Sequence, residues 1–280
     1  MTPLPVVLSF GASDATGGAD LQADQLAIAS MGCHAACVVT TIAVSEDDSE
    51  GAIALEAETI EGQAQSVLQN MAVSAFKVGV LASSDQVQPI AAILADYDTV
   101  PVVLDPKFGA EAADDSDSEL AVALRELLVP QATIVSLSLS LARRLVSLAN
   151  DDEERSHDLT ASVCARELIA WGAEFVVVTD AEPGSSQVTV ALHDESGLVR
   201  SEAWPRIDMA STRLLGVSDT LSAALAGLLA QGLDVPEAFQ EACQYTAAAA
   251  LHAFHAGIGM AIPDRLFWAG DDDDDERDVN

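Results

Sequence analysis

Positive charge is scarce in this 280-residue chain: 12 Lys and Arg stand against 45 Asp and Glu, a formal net charge of −33. Lysine is scarcer still, with Lys77 and Lys107 the only two. Binding a phosphate backbone needs a basic surface, so the composition argues against a nucleic-acid partner. Cysteine is also sparse. Cys33, Cys37, Cys164 and Cys243 are scattered, and no second close pair completes a zinc site, so buried free thiols in a reducing cytoplasm are expected. No apolar run reaches the roughly 18 residues of a membrane span, and the N-terminus lacks the basic region of a signal peptide. The composition therefore predicts no membrane partner.

Half of the residues are hydrophobic, too many for a disordered acidic chain and ample for one large α/β domain. The acids run from Asp14 to Asp278 rather than forming one block. A folded protein with a very acidic surface fits, and screening by high salt would relieve its self-repulsion.

Apolar periodicity predicts strands at 6–10, 36–44, 75–81, 100–105, 132–135 and 175–179, and a hairpin from 187–192 and 198–204. Helical spacing occupies 21–31, 60–71, 84–97, 120–128, 139–150, 161–171 and 235–256. Residues 11–20 and the acidic stretches 45–50 and 111–119 read as loops. Strand–helix alternation of this kind implies a mainly parallel sheet covered on both faces, with ligands beyond the C-terminal strand ends. No linker divides residues 1–270, which read as one domain, and 271–280 reads as a disordered acidic tail.

Gly216-Val217-Ser218-Asp219 opens a small-residue helix. Such a turn offers unpaired N–H groups and a positive dipole end to a phosphate, and its acid can take a proton from an attacking hydroxyl. Taken alone, the same residues more readily describe a helix cap at Ser218 or Asp219. His252 and His255 lie one turn apart without a visible third ligand, so no metal site is assigned. His34 reads as structural.

Read together, the segments resemble the ribokinase-like small-molecule kinases, and above all the hydroxymethylpyrimidine and phosphomethylpyrimidine kinases of thiamine biosynthesis. That family's GSDxSGGAGxQAD loop stands here as residues 12–24, from Ala12-Ser13-Asp14 through Gly17-Gly18-Ala19-Asp20 to Asp24. Its KxGML appears as Lys77-Val78-Gly79-Val80-Leu81, and its VVLDP as Val102-Val103-Leu104-Asp105-Pro106. Its GTGCTLSAA turn is 216–224, and its GHGIGP is echoed at 256–260. The matches keep family order from residue 6 to residue 260.

The resemblance implies a three-layer α/β/α sandwich with a mainly parallel central sheet. It implies transfer of the ATP γ-phosphate, with Mg²⁺, to a hydroxymethyl aminopyrimidine and to its monophosphate. Asp219 would be the base, standing where the family usually has cysteine, and Gly216 and Ser218 would hold the transferring phosphoryl group. Ala12, Ala19, Asp24, Ser45 and Val80 match substrate-pocket positions; Asp24 either bonds the ring amine or orders the pocket. Val217, Thr179 and Asp180 match nucleotide positions. A homodimer is compatible with the group, in which dimers are common.

The chain departs from the pattern at several of these places. Ser45 replaces a pyrimidine-reading glutamine, Val80 a methionine and Ser218 a glycine. The TPNxxE segment reads Ser136-Leu137-Ser138-Leu139-Ser140-Leu141, the lysine-glycine-glycine after the next strand reads Thr179-Asp180-Ala181, and the KSG segment has no counterpart in register, Lys107 being the only lysine nearby. Asp180, placed where a cation is expected, would oppose a nucleotide. Arg213, just before the turn, is a source of replacement charge or a surface arginine. Two readings follow: a kinase with altered ligands, or a homologue that has lost catalysis and binds a pyrimidine-like ligand or a partner. Pyridoxal is a further candidate substrate.

Overall fold

The computed structural model describes residues 3–43, 52–107, 115–150, 159–206 and 214–269. Strand and helix alternate as β1 (Val6–Asp14), α1 (Asp20–Ser30), β2 (His34–Ala43), β3 (Ile53–Ala54), α2 (Ala57–Leu68), β4 (Val73–Val78), α3 (Ser84–Ala95) and β5 (Val102–Leu104). There follow α4 (Asp115–Ala123), β6 (Ile134–Ser138), α5 (Leu139–Ala149), α6 (Ala161–Ala170), β7 (Phe175–Thr179), β8 (Gln187–Asp194), β9 (Gly197–Pro205), α7 (Val217–Ala230) and α8 (Val235–Leu251).

All nine strands join one sheet in the order β3-β2-β1-β4-β5-β6-β7-β8-β9. The run from β2 to β7 is parallel, and β3, β8 and β9 add antiparallel edges. Successive side chains along a strand point to opposite faces. Thus Phe76 and Val78 enter one hydrophobic cluster with α2 to α6, while Ala75 enters the other with α1, α7 and α8. Val176 and Val178 divide from Val177 in the same way. Two helical layers therefore cover the sheet. Each fully buried Val, Leu or Phe contributes about 1.5–3 kcal/mol.

This parity also places polar groups. Ser9, Lys77 and Asp105 share the face of Val7, Ala75 and Val103, on the α1/α7 side. Ser9 lies mid-strand in β1 opposite Lys77, which is near the carboxyl end of β4, and Asp105 directly follows β5. The sheet grows outward from β1 in both directions, so the loops after β1 and β4 diverge. A crevice at such a switch point is the usual ligand site of an open α/β sheet.

Most boundaries shift by one to three residues from expectation, β3 is a strand the periodicity does not predict, and three differences are larger. β1 continues through Asp14 because β2 stays beside it as far as Ala43. The loop expected at 111–119 is helical from Asp115, where Arg144 of α5 holds Asp117 at 2.6 Å. α8 ends at Leu251, five residues early, and Phe254 instead pairs with Ile262 in an antiparallel bridge. Ser45, Arg213, the stretch 45–50 and the tail 271–280 lie outside the described residues. Cys33, Cys164 and Cys243 are buried free thiols, and Cys37 is free and partly buried. No helix among the described residues is long and apolar enough to cross a membrane.

Candidate active site

Gly216 caps α7 in a left-handed conformation, φ +77°. A Cβ there would drive into the carbonyl oxygen of Gly18 and the guanidinium of Arg265, so only glycine fits. Thr220 N–H is the first to close on Gly216 O, at 3.0 Å. The N–H groups of Val217, Ser218 and Asp219 thus have no acceptor within the helix, which suits an anion. Asp219 is not a cap: α7 has no side-chain cap bond.

Arg265 joins this turn to the loop after β1. It is only 2% exposed. Its Nη2 donates to Gly18 O (2.7 Å) and Gly216 O (3.0 Å), and its Nε to Thr220 Oγ1 (2.9 Å). Asp14 orders the same loop, accepting from Thr16 N–H and Oγ1, Gly18 N–H and Ala19 N–H. Beyond β4, Thr40 Oγ1 donates to Val80 O (2.6 Å) and fixes the opposite rim.

Asp219 and Ser222 are three apart and share the helix face turned to the sheet. Ser222 Oγ donates to Asp105 Oδ2 (2.7 Å). Asp219 Oδ1 accepts from Lys107 Nζ (2.6 Å), with Lys77 Nζ 3.6 Å away. Lys107 also reaches Asp20 Oδ1 (2.9 Å), and Lys77 grips both oxygens of Asp24 (2.7 and 2.9 Å). Ser9 Oγ completes that pair on Asp24 Oδ2 at 2.6 Å. Both lysines of the chain therefore converge on one carboxylate.

Burial works to raise the Asp219 pKa, but the Lys107 and Lys77 ammonium groups outweigh it, and the carboxyl is held far below the usual range. Burial lifts Asp20 and Asp105 above that range and pushes Asp24 up to about 6 despite Lys77. Burial favours neutral lysines; the surrounding carboxylates nevertheless raise Lys107 and Lys77, and both stay charged.

Beside this cluster lies a cavity of about 430 Å³. Ala12, Ala19 and Val80 line it on the substrate-loop side, and Gly216, Ser218 and Asp219 on the turn side. These six expected positions come together. Asp24 does not line the cavity: it is fully buried, held by Lys77 and Ser9. Val217 belongs to the turn without lining the cavity. Thr179 and Asp180 end β7 outside it. Asp180, with φ +53°, is paired by Arg206, so its charge does not stand alone against a nucleotide as the sequence suggested. Ser138 is spent as the N-cap of α5, accepting from Leu141 N–H (3.2 Å).

Lys77, Lys107, Asp20, Asp105, Ser222 and Arg265 were not found from the sequence as site residues. The signal available was lysine scarcity: both lysines stand at the ends of β4 and β5, which the matched motifs already mark. Among the described residues no group of three or more His, Cys, Asp or Glu is arranged to hold a metal ion. Of the acids beside Asp219, Asp20 and Asp24 are held by lysines and Asp105 accepts from Ser222, so this cluster is a poor fit for Mg²⁺. His252 stacks on Phe267 and bonds Ala248 O.

A doubly covered, mainly parallel sheet with a glycine turn feeding a buried helix at its switch point defines a protein of the ribokinase-like class. Bacillus subtilis pyridoxal kinase, solved as an ADP complex, superposes with a TM-score of 0.80 at 26% identity, over 95% of this chain and 99% of that one. Phosphomethylpyrimidine kinase from Clostridium difficile shares the fold, with a TM-score of 0.66 at 22% identity over 86% and 98%. The chain belongs to the phosphomethylpyrimidine kinase family, whose model matches residues 14–263. The hydroxymethylpyrimidine/phosphomethylpyrimidine kinase of Streptomyces coelicolor is 31% identical over 276 residues, 97% of each chain.

Proposed function

We propose that this protein is a kinase of thiamine biosynthesis. It transfers the ATP γ-phosphoryl group to 4-amino-5-hydroxymethyl-2-methylpyrimidine, to its monophosphate, or to both. One observation carries the reading: an ionised, buried carboxylate, Asp219, borders the cavity beside a glycine turn whose N–H groups are free to hold a phosphoryl group. The name carried by the Streptomyces relative supplies the acceptor class.

In this mechanism ATP supplies the phosphoryl group as a substrate. The acceptor hydroxyl lies in the cavity between the Ala12, Ala19 and Val80 walls and Asp219. With the hydroxymethyl acceptor, Asp219 takes the hydroxyl proton as the oxygen forms the new bond to phosphorus. With the monophosphate, an ionised phosphate oxygen attacks without a base. In both cases the electron pair of the breaking P–O bond leaves with ADP. N–H groups of the turn stabilise the charge on the transferring oxygens. No step runs through a protein-held metal. Ser45, Thr179, Asp180 and Val217 remain assigned to substrate and nucleotide from the family pattern. The acceptor and ATP are the small-molecule partners; a homodimer and a cytoplasmic site are part of the same reading.

The alternative of an impaired, binding-only homologue is not favoured, because the family model and a relative named as a kinase match nearly the whole chain. Pyridoxal is kept as a second acceptor, since the pyridoxal kinase of Bacillus subtilis superposes over nearly the whole chain. ADP release with hydroxymethylpyrimidine, its monophosphate and pyridoxal, each with ATP and Mg²⁺ in high salt, tests this directly. Phosphorylation of a pyrimidine is expected, with kcat about 10²–10⁴-fold lower in Asp219→Asn. Turnover of pyridoxal alone would move the assignment to that substrate, and no turnover with any acceptor would overturn it.

A further inference from the structure

We propose that Lys107 is a catalytic residue that leaves Asp219 for the γ-phosphate of bound nucleotide, with Asp20 as the tether on which it moves. The inference rests on the kinase reading above but assigns a residue that reading does not need. Lys107 follows Asp105-Pro106 directly, a place where the matched motif supplies no cation. The geometry separates the roles of the two lysines. Lys77 is 1% exposed and gripped by both oxygens of Asp24, so it has no freedom to move. Lys107 keeps 23% of its side chain exposed and lines the cavity together with Gly216 and Ser218. Its ammonium already lies beside the turn proposed to hold the transferring group.

Asp20 is the second observation. It stands at the last glycine of GSDxSGGAGxQAD and keeps a glycine-like φ of +50°. An aspartate held there is strained, and such strain persists only where the surroundings hold it. Here its carboxylate bonds Lys107 at 2.9 Å. Asp20 and Asp219 both depart from the family pattern, and Lys107 bridges them.

The exchange has a chemical purpose. With Lys107 at 2.6 Å, Asp219 is a poor proton acceptor. When the ammonium turns to the γ-phosphate oxygens, it neutralises charge that builds there, and Asp219 regains basicity as the acceptor hydroxyl releases its proton. The P–O bond to ADP breaks with its electron pair leaving on ADP, the acceptor–phosphorus bond forms, and the proton ends on Asp219. Lys107 stays protonated throughout.

Calorimetric affinities for ADP and for the β,γ-methylene analogue of ATP test this on the full chain. The wild type is expected to prefer the analogue, and Lys107→Met to lose about 10- to 100-fold of analogue affinity while ADP binding stays within about 3-fold. Lys107→Arg should recover much of that preference, and kcat in Lys107→Met should fall about 10²–10³-fold. A measurement on the wild type guards against a variant that fails to fold. Selective ¹⁵N labelling of lysine side chains yields two Nζ signals, of which Lys107→Arg removes one. The analogue should shift the Lys107 signal and ADP should not. Equal shifts, or equal losses of both nucleotides in Lys107→Met, overturn the inference even if turnover persists. A Lys107-dependent γ-phosphate preference without any acceptor turnover upholds it and overturns the acceptor assignment. Binding of neither nucleotide overturns both.

Discussion

A buried carboxylate survives as an ion only where fixed cations repay its lost hydration, and Asp219 shows how tightly that can bind a site together. Two lysines, three further acids and two hydroxyls are arranged around it, each within hydrogen-bond or ion-pair reach of a neighbour. Breaking one partner of a buried pair typically costs about 3–5 kcal/mol. Substitutions in this cluster must therefore be read with melting temperatures beside the kinetics. Asp14 shows the opposite, half-exposed case. Burial acts to raise its pKa, but bonds from Thr16, Ala19 and Gly18 outweigh burial and hold it below the ordinary 3.8. A depressed acid stabilises the fold above its unfolded value and loses that contribution as pH falls through its folded value. Asp14→Asn should accordingly lower stability by about 1 kcal/mol at neutral pH, after allowance for solvent screening. The gap in melting temperature from wild type should shrink below about pH 4. A gap unchanged between pH 7 and pH 3 would show that the ionised carboxylate is not what orders the loop.

Elements differ in how much of their role their own sequence announces. β7 is a continuous β-branched run, and its predicted bounds coincide with those observed. α7 is apolar or small on every side, and it is buried from Asp219 through Leu229. The candidate site was legible at the motif positions that line the cavity, and with a physical reason at Gly216, whose backbone admits only glycine. Its lysines were not legible, because the pairs span 53 and 112 residues and no local spacing encodes them. Arg265 lies in a stretch without periodicity, yet it ties the turn to the first loop. Strand parity would have assigned Lys77 to the face of Ala75, a reading that a continuous apolar run conceals. The two ends of α7 give a controlled comparison. Gly216 and Gly232 both have positive φ, +77° and +91°, but a Cβ meets Gly18 O at the first and nothing within 4 Å at the second. Gly232→Ala should cost about 1 kcal/mol of backbone strain and leave turnover intact. Gly216→Ala adds a backbone clash inside the turn, so it should cost more than about 2 kcal/mol and abolish turnover. Thermal melts and kcat for the pair decide this; equal effects would mean that the Gly18 contact does not constrain the turn.

The whole molecule sets a field that its site must work against. A net charge of −33 repels an anionic nucleotide, and the acids responsible are distributed along the entire sequence. Added salt shortens the reach of that field from about 10 Å at 0.1 M to about 3 Å at 1 M. The lysine pairs around Asp219 are buried or half-buried and much less open to screening. Encounter and chemistry should therefore respond differently. Raising KCl from 0.1 to about 2 M should lower KM for ATP and raise the melting temperature, as self-repulsion fades, while kcat changes less than KM. Steady-state kinetics across that range, with free Mg²⁺ held constant, measure both quantities on one sample. A KM for ATP that rises steadily with salt would show that local cations govern nucleotide capture. In that case the acidic surface would affect solubility without touching the reaction.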